Sequence, residues 1–214
     1  MHKQRILIIL SLLLCLFFLS CENYKWYGED EYPGVNYGNC DDIVGVLSDL
    51  LGKKGQGGVV FYDKGFYSDG WRYLEVAPAN FEFNAQWGAY GYDFQGTQVD
   101  IGTGNTNTWV IVSELQKLSE NGRAAQLCVG LNLNGYNDWF LPSSNELFAI
   151  YRNLHCRGFG DFGKGTNSSS NMNWNYWSSS QYNSNTALVR DFRSGNQLRS
   201  DKNNSRMVRV VRYF

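Results

Sequence analysis

The C-terminal segment, residues 192–214, restricts the fold of this chain more than any other part of it. Residues 207–214 (MVRVVRYF) carry apolar side chains at both odd and even positions, a pattern typical of a strand that is buried on both faces. Residues 192–206 are mostly polar and have no period. Because a strand of this kind needs a sheet around it, we predict that the polar run is an ordered surface held by that sheet.

The polar run belongs to a longer segment with the composition of a recognition surface. Residues 167–204 contain nine Asn and nine Ser among 38 residues. These side chains supply adaptable hydrogen bonds, while Tyr and Arg supply contact area. A disordered loop would leave Trp174, Tyr176 and Trp177 exposed, which is unfavourable. We therefore interpret the segment as an ordered binding face.

Length and composition indicate one domain that contains β-structure. The chain has 214 residues, 16% aromatic residues, 23 Gly and only 3 Pro, which suits a compact, turn-rich domain with flanking pieces. The formal net charge is −1, so nothing indicates a nucleic-acid partner.

The N-terminus has the pattern of a secretory signal. A basic start (MHKQR) precedes an apolar run at residues 6–19, and Ser20 and Cys21 follow. The run is too short to span a bilayer comfortably, so we predict a signal peptide at residues 1–20. The sequence FFLSC resembles a bacterial lipobox, which implies lipidation of Cys21 and a membrane partner through that lipid anchor. An ordinary signal cleaved nearby and an uncleaved anchor helix are the alternatives.

The next segment, residues 21–37, lacks periodicity and contains a Pro and two Gly. We predict that it is a lipidated tether, and that the protein lies in the cell envelope at the outer membrane surface. Of the five Cys, Cys40, Cys128 and Cys156 remain in the exported domain. Export permits a disulfide, so we expect one disulfide and one buried free thiol, with the pairing left open. No spacing suggests zinc, and no cofactor is predicted.

The first half of the domain is predicted to contain a hairpin, a long loop and a helix. Residues 57–78 form the hairpin, with strands at residues 57–63 and 71–78 and Asp69-Gly70 at the end of its turn. Residues 81–104 are aromatic and Gly-rich, as in ordered loops that pack beside a site. Residues 41–51 suggest an earlier short helix capped by Asp41 or Asp42.

The second half supplies helices and then strands. Helices are predicted at residues 108–120, around Cys128, and at residues 143–154, where Ser143 and Glu146 form a capping box. Short strands are predicted at residues 138–142, 176–181, 186–192 and 207–214, with a turn at Gly195. The class is therefore α+β, with two or three helices and a late antiparallel sheet.

Few residues suggest catalysis. The one His beyond the signal, His155, is interpreted as a helix C-terminal residue that interacts with the helix dipole. The carboxylates show no spacing diagnostic of catalysis, and we assign them to a strand surface, a loop, a turn and the capping box: Glu75, Asp93, Asp138 and Glu146.

Several stretches resemble the Legionella collagen-like C-terminal domain family, and the related major paralogous domain of Fibrobacter. They are GGVVFYDKGFYSDGWRYLEVAP, AAQLC, NDWFLPSSNELFAIYRN, YWSSSQYNSNTA and VRVVRYF. This resemblance implies an exported, C-type-lectin-like domain, here residues 38–214. It also implies a ligand-binding protein and not an enzyme.

Residues 176–214 are similar to the variable repeat of a diversity-generating retroelement, in which Asn codons are mutated within a lectin-like fold. The resemblance implies a framework at Trp177, Ala187, Phe192, Gly195, Gln197, Val208, Arg209, Val211 and Arg212. Leu188 departs from it, because an aromatic residue is expected there. The implied ligand-binding residues are Tyr182, Asn183, Asn185, Leu188, Arg190, Asp191, Arg193, Ser194, Asn196, Leu198, Arg199, Ser200 and Asp201.

The expected partner is an external ligand: a glycan, a host protein or a phage. Two alternatives remain. The lectin-like fold also hosts formylglycine-generating oxidases, which use paired Cys, and Cys128 and Cys156 would be the candidates besides Cys40. The other alternative is a structural envelope lipoprotein without a specific ligand.

Overall fold

The computed structural model describes residue 40, residues 49–163 and residues 174–214. The predicted signal peptide, Cys21, the tether and most of the first predicted helix lie outside these residues. Of that helix, residues 49–51 form a turn. No helix in the described ranges is long and apolar enough to cross a membrane.

The described residues form an α+β fold with three helices and two sheets, which confirms the predicted class. The helices are α1 (Gly104–Lys117), α2 (Ala124–Val129) and α3 (Ser144–Asn153). The strands are β1 (Val59–Ser68), β2 (Trp71–Val76), β3 (Phe83–Gln86), β4 (Asn175–Gln181), β5 (Thr186–Asp191), β6 (Gln197–Asp201), β7 (Ser205–Val208) and β8 (Val211–Tyr213).

The predicted hairpin is present as β1 and β2, and β8 pairs with β2 to complete a three-stranded sheet. Its turn has φ 51° at Asp69 and φ 83° at Gly70. Positive φ at both central residues is the signature of a type I′ turn, whose twist matches that of the two strands. The Asp-Gly pair therefore defines this turn in the sequence.

The predicted final strand is wrong in one respect, because residues 207–214 enter two sheets. β7 pairs with β3 and contacts β4 in a sheet ordered β3-β7-β4-β5-β6, whereas β8 joins the other sheet. Met207 and Val208 belong to different core clusters. The apolar side chains at both odd and even positions of residues 207–214 therefore arise because this segment contributes to two hydrophobic cores.

Two arginines of this final segment are buried with carboxylates. The Arg209 guanidinium contacts Glu82 at 2.5 Å and donates to the carbonyls of Ala77 and Gly160. Arg212 pairs with Glu75 at 2.7 Å and with Asp138 at 2.7 Å. Glu82 and Glu75 are buried with their arginines, so these opposite charges satisfy each other away from water, whereas Asp138 is about half exposed.

The assignment of Glu75 to a strand surface is therefore wrong. Its carboxylate is buried, accepts hydrogen bonds from the backbone N–H groups of Gly57 and Gly58, and faces Arg212. The backbone before β1 and the side chain of Arg212, the register partner of Glu75 on β8, together enclose this carboxylate.

Helix α1 begins at Gly104, earlier than predicted, and the predicted apolar position Trp109 is 56% exposed. The helix instead buries Asn107 and Thr108, whose polar groups are satisfied. The Asn107 side chain bonds both backbone groups of Gln98, and the Thr108 hydroxyl bonds the backbone of Leu141. The predicted core positions Val112 and Leu115 are buried as expected, so the satisfied polar residues extend the buried face toward Asn107 and Thr108, and only Trp109 departs from it.

Helix α3 confirms its prediction in detail. The Ser143 hydroxyl accepts from the Glu146 N–H, and the Glu146 carboxylate accepts from the Ser143 N–H at 2.7 Å. Its apolar residues are buried as expected: Leu147, Ile150, Tyr151 and Leu154. His155 follows the helix, where it packs against aromatic rings and burial lowers its pKa.

Glu146 also gives the fold a testable pH dependence. Burial raises the pKa of Glu146 from 4.5 to about 7, opposed by the N–H groups of Ser143, Gly102 and Gly104. The folded state then binds more protons than the unfolded state between these values, so stability falls as pH rises through this window. We expect a loss of about 2 kcal/mol between pH 5 and pH 7.

Urea unfolding at several pH values measures this loss, and the difference between the native chain and Glu146→Gln isolates the contribution of Glu146. The Gln variant should lack that component of the pH dependence. Parallel curves for the two proteins between pH 5 and pH 7 would contradict the prediction.

The cysteines behave as expected. Cys40 and Cys156 form a disulfide across 116 residues of sequence, and Cys128 is free and buried in α2. Burial raises the pKa of the Cys128 thiol, which keeps it unreactive.

Three segments differ from their predictions. The predicted strand at residues 138–142 makes only one bridge, between Phe140 and Val211. The long loop is ordered, but it contains strand β3 and follows a 3₁₀ turn (Ala79–Phe81). β6 was not predicted at all, because its sequence QLRSD has no apolar alternation.

Candidate functional site

The predicted ligand-binding residues lie on two hairpin turns and two strands at one side of the larger sheet. Tyr182, Asn183 and Asn185 are in the β4–β5 turn, and Arg193, Ser194 and Asn196 are in the β5–β6 turn. The others are on β5 (Leu188, Arg190 and Asp191) and on β6 (Leu198, Arg199, Ser200 and Asp201). Since β6 is the edge strand of the sheet, its exposed side chains are open to partners.

Exposure divides these residues into three groups. Leu188, Arg190 and Ser200 are buried, and Asp191 and Ser194 are half-buried. The exposed ones are Tyr182, Asn183, Asn185, Arg193, Asn196, Leu198, Arg199 and Asp201. The three buried residues cannot meet a ligand without rearrangement of the sheet, whereas the exposed group is directly accessible.

The exposed group is centred on a stacked pair. The Arg199 guanidinium carbon lies 3.4 Å from the centroid of the Tyr182 ring, which is 47% exposed. A guanidinium over an aromatic face is a favourable contact, and it joins the β4–β5 turn to β6. Tyr and Arg are also the residues that contribute most often to binding hot spots.

The β4–β5 turn is rigid because Asn183 organises it. The Asn183 side-chain oxygen accepts from the N–H of Asn185 at 2.9 Å and from the N–H and hydroxyl of Thr186 at 2.8 and 2.9 Å. The Asn183 side-chain oxygen therefore stabilises the turn, and this turn holds the backbone of Tyr182 in one conformation.

The β5–β6 turn is held in a similar way. Asp191 accepts from the Arg193 N–H and from the Ser194 hydroxyl. Gly195 has φ 73°, and a Cβ atom there would lie 2.5 Å from the Tyr151 ring. The predicted turn residue Gly195 is thus required both by its backbone angle and by close packing.

Two of the predicted binding residues have structural roles below the surface. Arg190 donates to the Gly195 carbonyl at 2.7 Å and lies over the Phe148 ring, and burial lowers its pKa to about 10. The Ser200 hydroxyl accepts from Arg206 at 3.0 Å. The predicted framework residues are buried, apart from Gln197, which is exposed.

The long loop adds two tyrosines that the sequence did not identify as site residues. Tyr90 is 48% and Tyr92 is 53% exposed. Between them, the Gly91 N–H donates to the Ser184 carbonyl, which places the loop directly beside the β4–β5 turn. One sequence signal could have identified these tyrosines, namely the prediction that this aromatic loop packs beside a site. We call the exposed set Tyr90, Tyr92, Tyr182 and Arg199 the tyrosine face; Leu198, the residue before Arg199 on β6, points to the opposite face of the sheet.

Lys202 fixes the loop to the sheet. Its ammonium group is buried, donates to the Tyr92 carbonyl at 2.7 Å and to Gln181 at 2.6 Å, and lies over the rings of Trp87 and Phe94. Burial lowers the pKa of Lys202 to about 8. Because this cation links the loop carrying Tyr92 to the end of β6, the tyrosine face has a preorganised backbone.

Catalytic alternatives find little support in the described residues. The thiols of Cys40 and Cys156 are consumed in a disulfide, and Cys128 is buried, so the described chain holds no thiol pair of the kind an oxidase needs. Nor do its described parts bring together three metal-ligating side chains.

No curated protein matches this sequence. A fimbrial protein from Bacteroides ovatus ATCC 8483 is similar in structure, with a TM-score of 0.46 and 13% identity, over 67% of this chain and 36% of that protein. The sequence model of the Lcl C-terminal domain matches residues 80–212, more than half of the chain. This chain therefore belongs to the Lcl C-terminal domain family, a surface-associated domain family.

Proposed function

We propose that this protein is a lipid-anchored surface protein that binds an external ligand through the tyrosine face. The observation that carries the proposal is the exposed Tyr182–Arg199 stack on a rigid turn, with Tyr90 and Tyr92 on the adjoining loop. Aromatic rings and guanidinium groups on a fixed backbone offer contact area at low entropic cost. Family membership supports display at the cell surface.

The lipid anchor is a separate part of this proposal. Its support is the apolar run that ends at Cys21, after a basic start. Metabolic labelling with a radioactive fatty acid should mark the native chain and not Cys21→Ser. Equal labelling of both chains, or none of either, would contradict lipidation at this residue.

Loss of the stacked pair should abolish binding. In the Tyr182→Ala, Arg199→Ala double variant we expect at least a ~100-fold weaker Kd for a ligand identified on a glycan and protein array, since such hot-spot residues each contribute about 2 kcal/mol. The unfolding midpoint should stay nearly constant, because both side chains are exposed.

Tyr67→Ala is the matched control. Tyr67 is 69% exposed, but it lies on β1 in the smaller sheet, so its loss should leave binding unchanged. The absence of any saturable ligand on the array would favour the structural alternative. Equal losses in the double variant and in Tyr67→Ala would mean that the tyrosine face is not the binding surface.

We also propose that residues 176–214 are a diversified repeat. Its support is the placement of many candidate variable positions on exposed turns and on β6, between buried framework residues. The neighbouring DNA should contain a reverse transcriptase gene and a near-copy of the repeat that differs only at adenines. A near-copy whose differences also fall at cytosine, guanine and thymine positions would contradict this mechanism.

A further inference from the structure

Among the strands of the described residues, none occupies the outer edge of β6 in the larger sheet. The sheet order ends at β6, whose one strand neighbour within the described residues is β5. Four of its five residues are exposed. An edge strand presents backbone N–H and C=O groups that can pair with another extended chain.

The register shows which backbone groups face outward. Asp191 and Asn196 are a hydrogen-bonded pair, and so are Asn185 and Lys202. Such pairs alternate along an antiparallel ladder, so the β6 residues that bond β5 are the even-numbered ones, from 196 to 202. The backbone groups of the odd-numbered residues therefore point away from β5.

Three residues supply the outward groups, namely Gln197, Arg199 and Asp201. The Asp201 carbonyl already accepts from the Asn204 N–H, which ends the available ladder at that side. Gln197 and Arg199 thus offer a donor and an acceptor each, and Asp201 offers a donor. This is enough for a short added strand of the kind seen in β-augmentation.

We propose that the β6 edge binds an extended polypeptide segment of the ligand, added antiparallel to β6. This inference rests on the proposed function and names its ligand class as protein. The edge is continuous with the tyrosine face, because Arg199 belongs to both. The added strand would lie along the exposed Arg199 and Leu198 side chains.

The side chains of β6 define the chemistry of that segment. In an antiparallel pair, directly opposed residues with opposite charges are favourable. An acidic residue therefore suits the position opposite Arg199, an apolar residue the next position, opposite Leu198, and a basic residue the position opposite Asp201. The partner sequence accordingly reads basic, any residue, acidic, apolar.

A second copy of the chain fits less well. Its own β6 could place Asp201 opposite Arg199, but the next residue, opposite Leu198, would then be Lys202. That lysine is buried and bonded to the Tyr92 carbonyl, so it offers no apolar contact. A foreign segment with the stated pattern satisfies all three positions.

Backbone pairing also suits a face whose side chains vary. Main-chain hydrogen bonds do not depend on side-chain identity, so they supply affinity that is common to all variants, while the side chains supply specificity. The candidate variable positions Leu198, Arg199, Ser200 and Asp201 all lie on this one strand. Changes there alter the preferred partner sequence without removing the ladder.

The test uses the full chain, isotope-labelled and solubilised in detergent micelles, with the synthetic peptide Thr-Lys-Thr-Glu-Val-Thr as probe. Saturable amide shifts at residues 197–201 are expected, with a Kd below about 1 mM. An N-methyl group on the Glu of the peptide should weaken binding at least ~10-fold, because that N–H pairs with the Arg199 carbonyl. An N-methyl group on the adjacent Val should not, because its N–H points away from β6.

A matched pair of protein variants tests the same ladder by removing a backbone N–H of the protein instead of one of the peptide. Gln197→Pro removes an outward N–H, which an edge strand tolerates, and Gln197→Ala removes the same side chain but keeps the N–H. We expect Gln197→Pro to lose peptide binding and Gln197→Ala to retain it. If the Pro variant does not fold, the pair of methylated peptides decides the question alone.

Three results would overturn strand addition: no saturable shift, equal affinities of the two methylated peptides, or amide shifts at β6 that grow with protein concentration before peptide is added. The last result would assign the edge to a second copy. These results are separable from failure of the proposed function. An array ligand that needs Tyr182 but binds Gln197→Pro normally would retain the tyrosine face and refute only the added strand.

Discussion

Replacement of Arg209 by alanine should destabilise the protein by about 3–5 kcal/mol, the cost of leaving a buried charge without its partner. Arg209 Nη1 contacts the Glu82 carboxylate at 2.5 Å, and both side chains are almost completely buried. Burial raises the pKa of Glu82, and Arg209 opposes that rise. Without the guanidinium, Glu82 must take up a proton or lose its desolvated position.

The Arg209 substitution also removes donors from two carbonyls, those of Ala77 and Gly160. Urea unfolding measures the loss. Arg152→Ala, at an exposed position of α3, is the control and should change stability by less than ~0.5 kcal/mol. In an Arg209→Met, Glu82→Leu double variant, much of the lost stability should return, because both charges are gone. A loss below about 1 kcal/mol in Arg209→Ala would show that this pair contributes little.

Removal of the disulfide should have an effect of similar size. The bond between Cys40 and Cys156 spans 116 residues of sequence, and the loss of so long a constraint on the unfolded chain corresponds to about 4–5 kcal/mol. The Cys40→Ser, Cys156→Ser variant should therefore unfold at a much lower denaturant concentration than the native chain.

Reductant gives an independent measurement of the disulfide. Dithiothreitol should shift the unfolding midpoint of the native chain and of Cys128→Ala, because Cys128 is free, but not that of the double Ser variant. A reductant effect that disappears in Cys128→Ala would assign the bond to a different pair of cysteines. A midpoint that reductant leaves in place for all three proteins would contradict the predicted stabilisation.

Local chemistry was the part of the fold that the sequence predicted well. The Asp69-Gly70 turn and the Ser143–Glu146 capping box each depend on residues within four positions of one another. Their geometry follows from backbone angles and hydrogen-bonding capacity alone. Both are present in the structure as predicted.

Features that depend on distant contacts were missed. Helix α1 buries Asn107 and Thr108 because Gln98 and Leu141 satisfy them, and no helical periodicity records such partners. The exposed strand β6 has no apolar pattern, since it is defined by its pairing with β5. The split between β7 and β8 likewise depends on which sheet each half meets.

The candidate site shows the same limit. Composition identified the exposed turns that carry Tyr182 and Arg193, but it could not separate them from the buried Arg190 on β5. Tyr90 and Tyr92 join the site through the Gly91–Ser184 backbone contact and through Lys202. Such contacts connect segments that are far apart in the chain, so single-sequence reasoning has no access to them.

The position of β7 and β8 after the exposed turns affects which altered genes give a usable product. An insertion or deletion within codons 182–201 that shifts the reading frame also rewrites both last strands, including the Phe214 backbone that pairs with Tyr73. Such a product lacks the native β7 in the larger sheet and the native β8 in the smaller sheet. A frameshift is therefore expected to prevent folding, whereas a point substitution at an exposed position of the turns leaves the strands of both sheets unchanged.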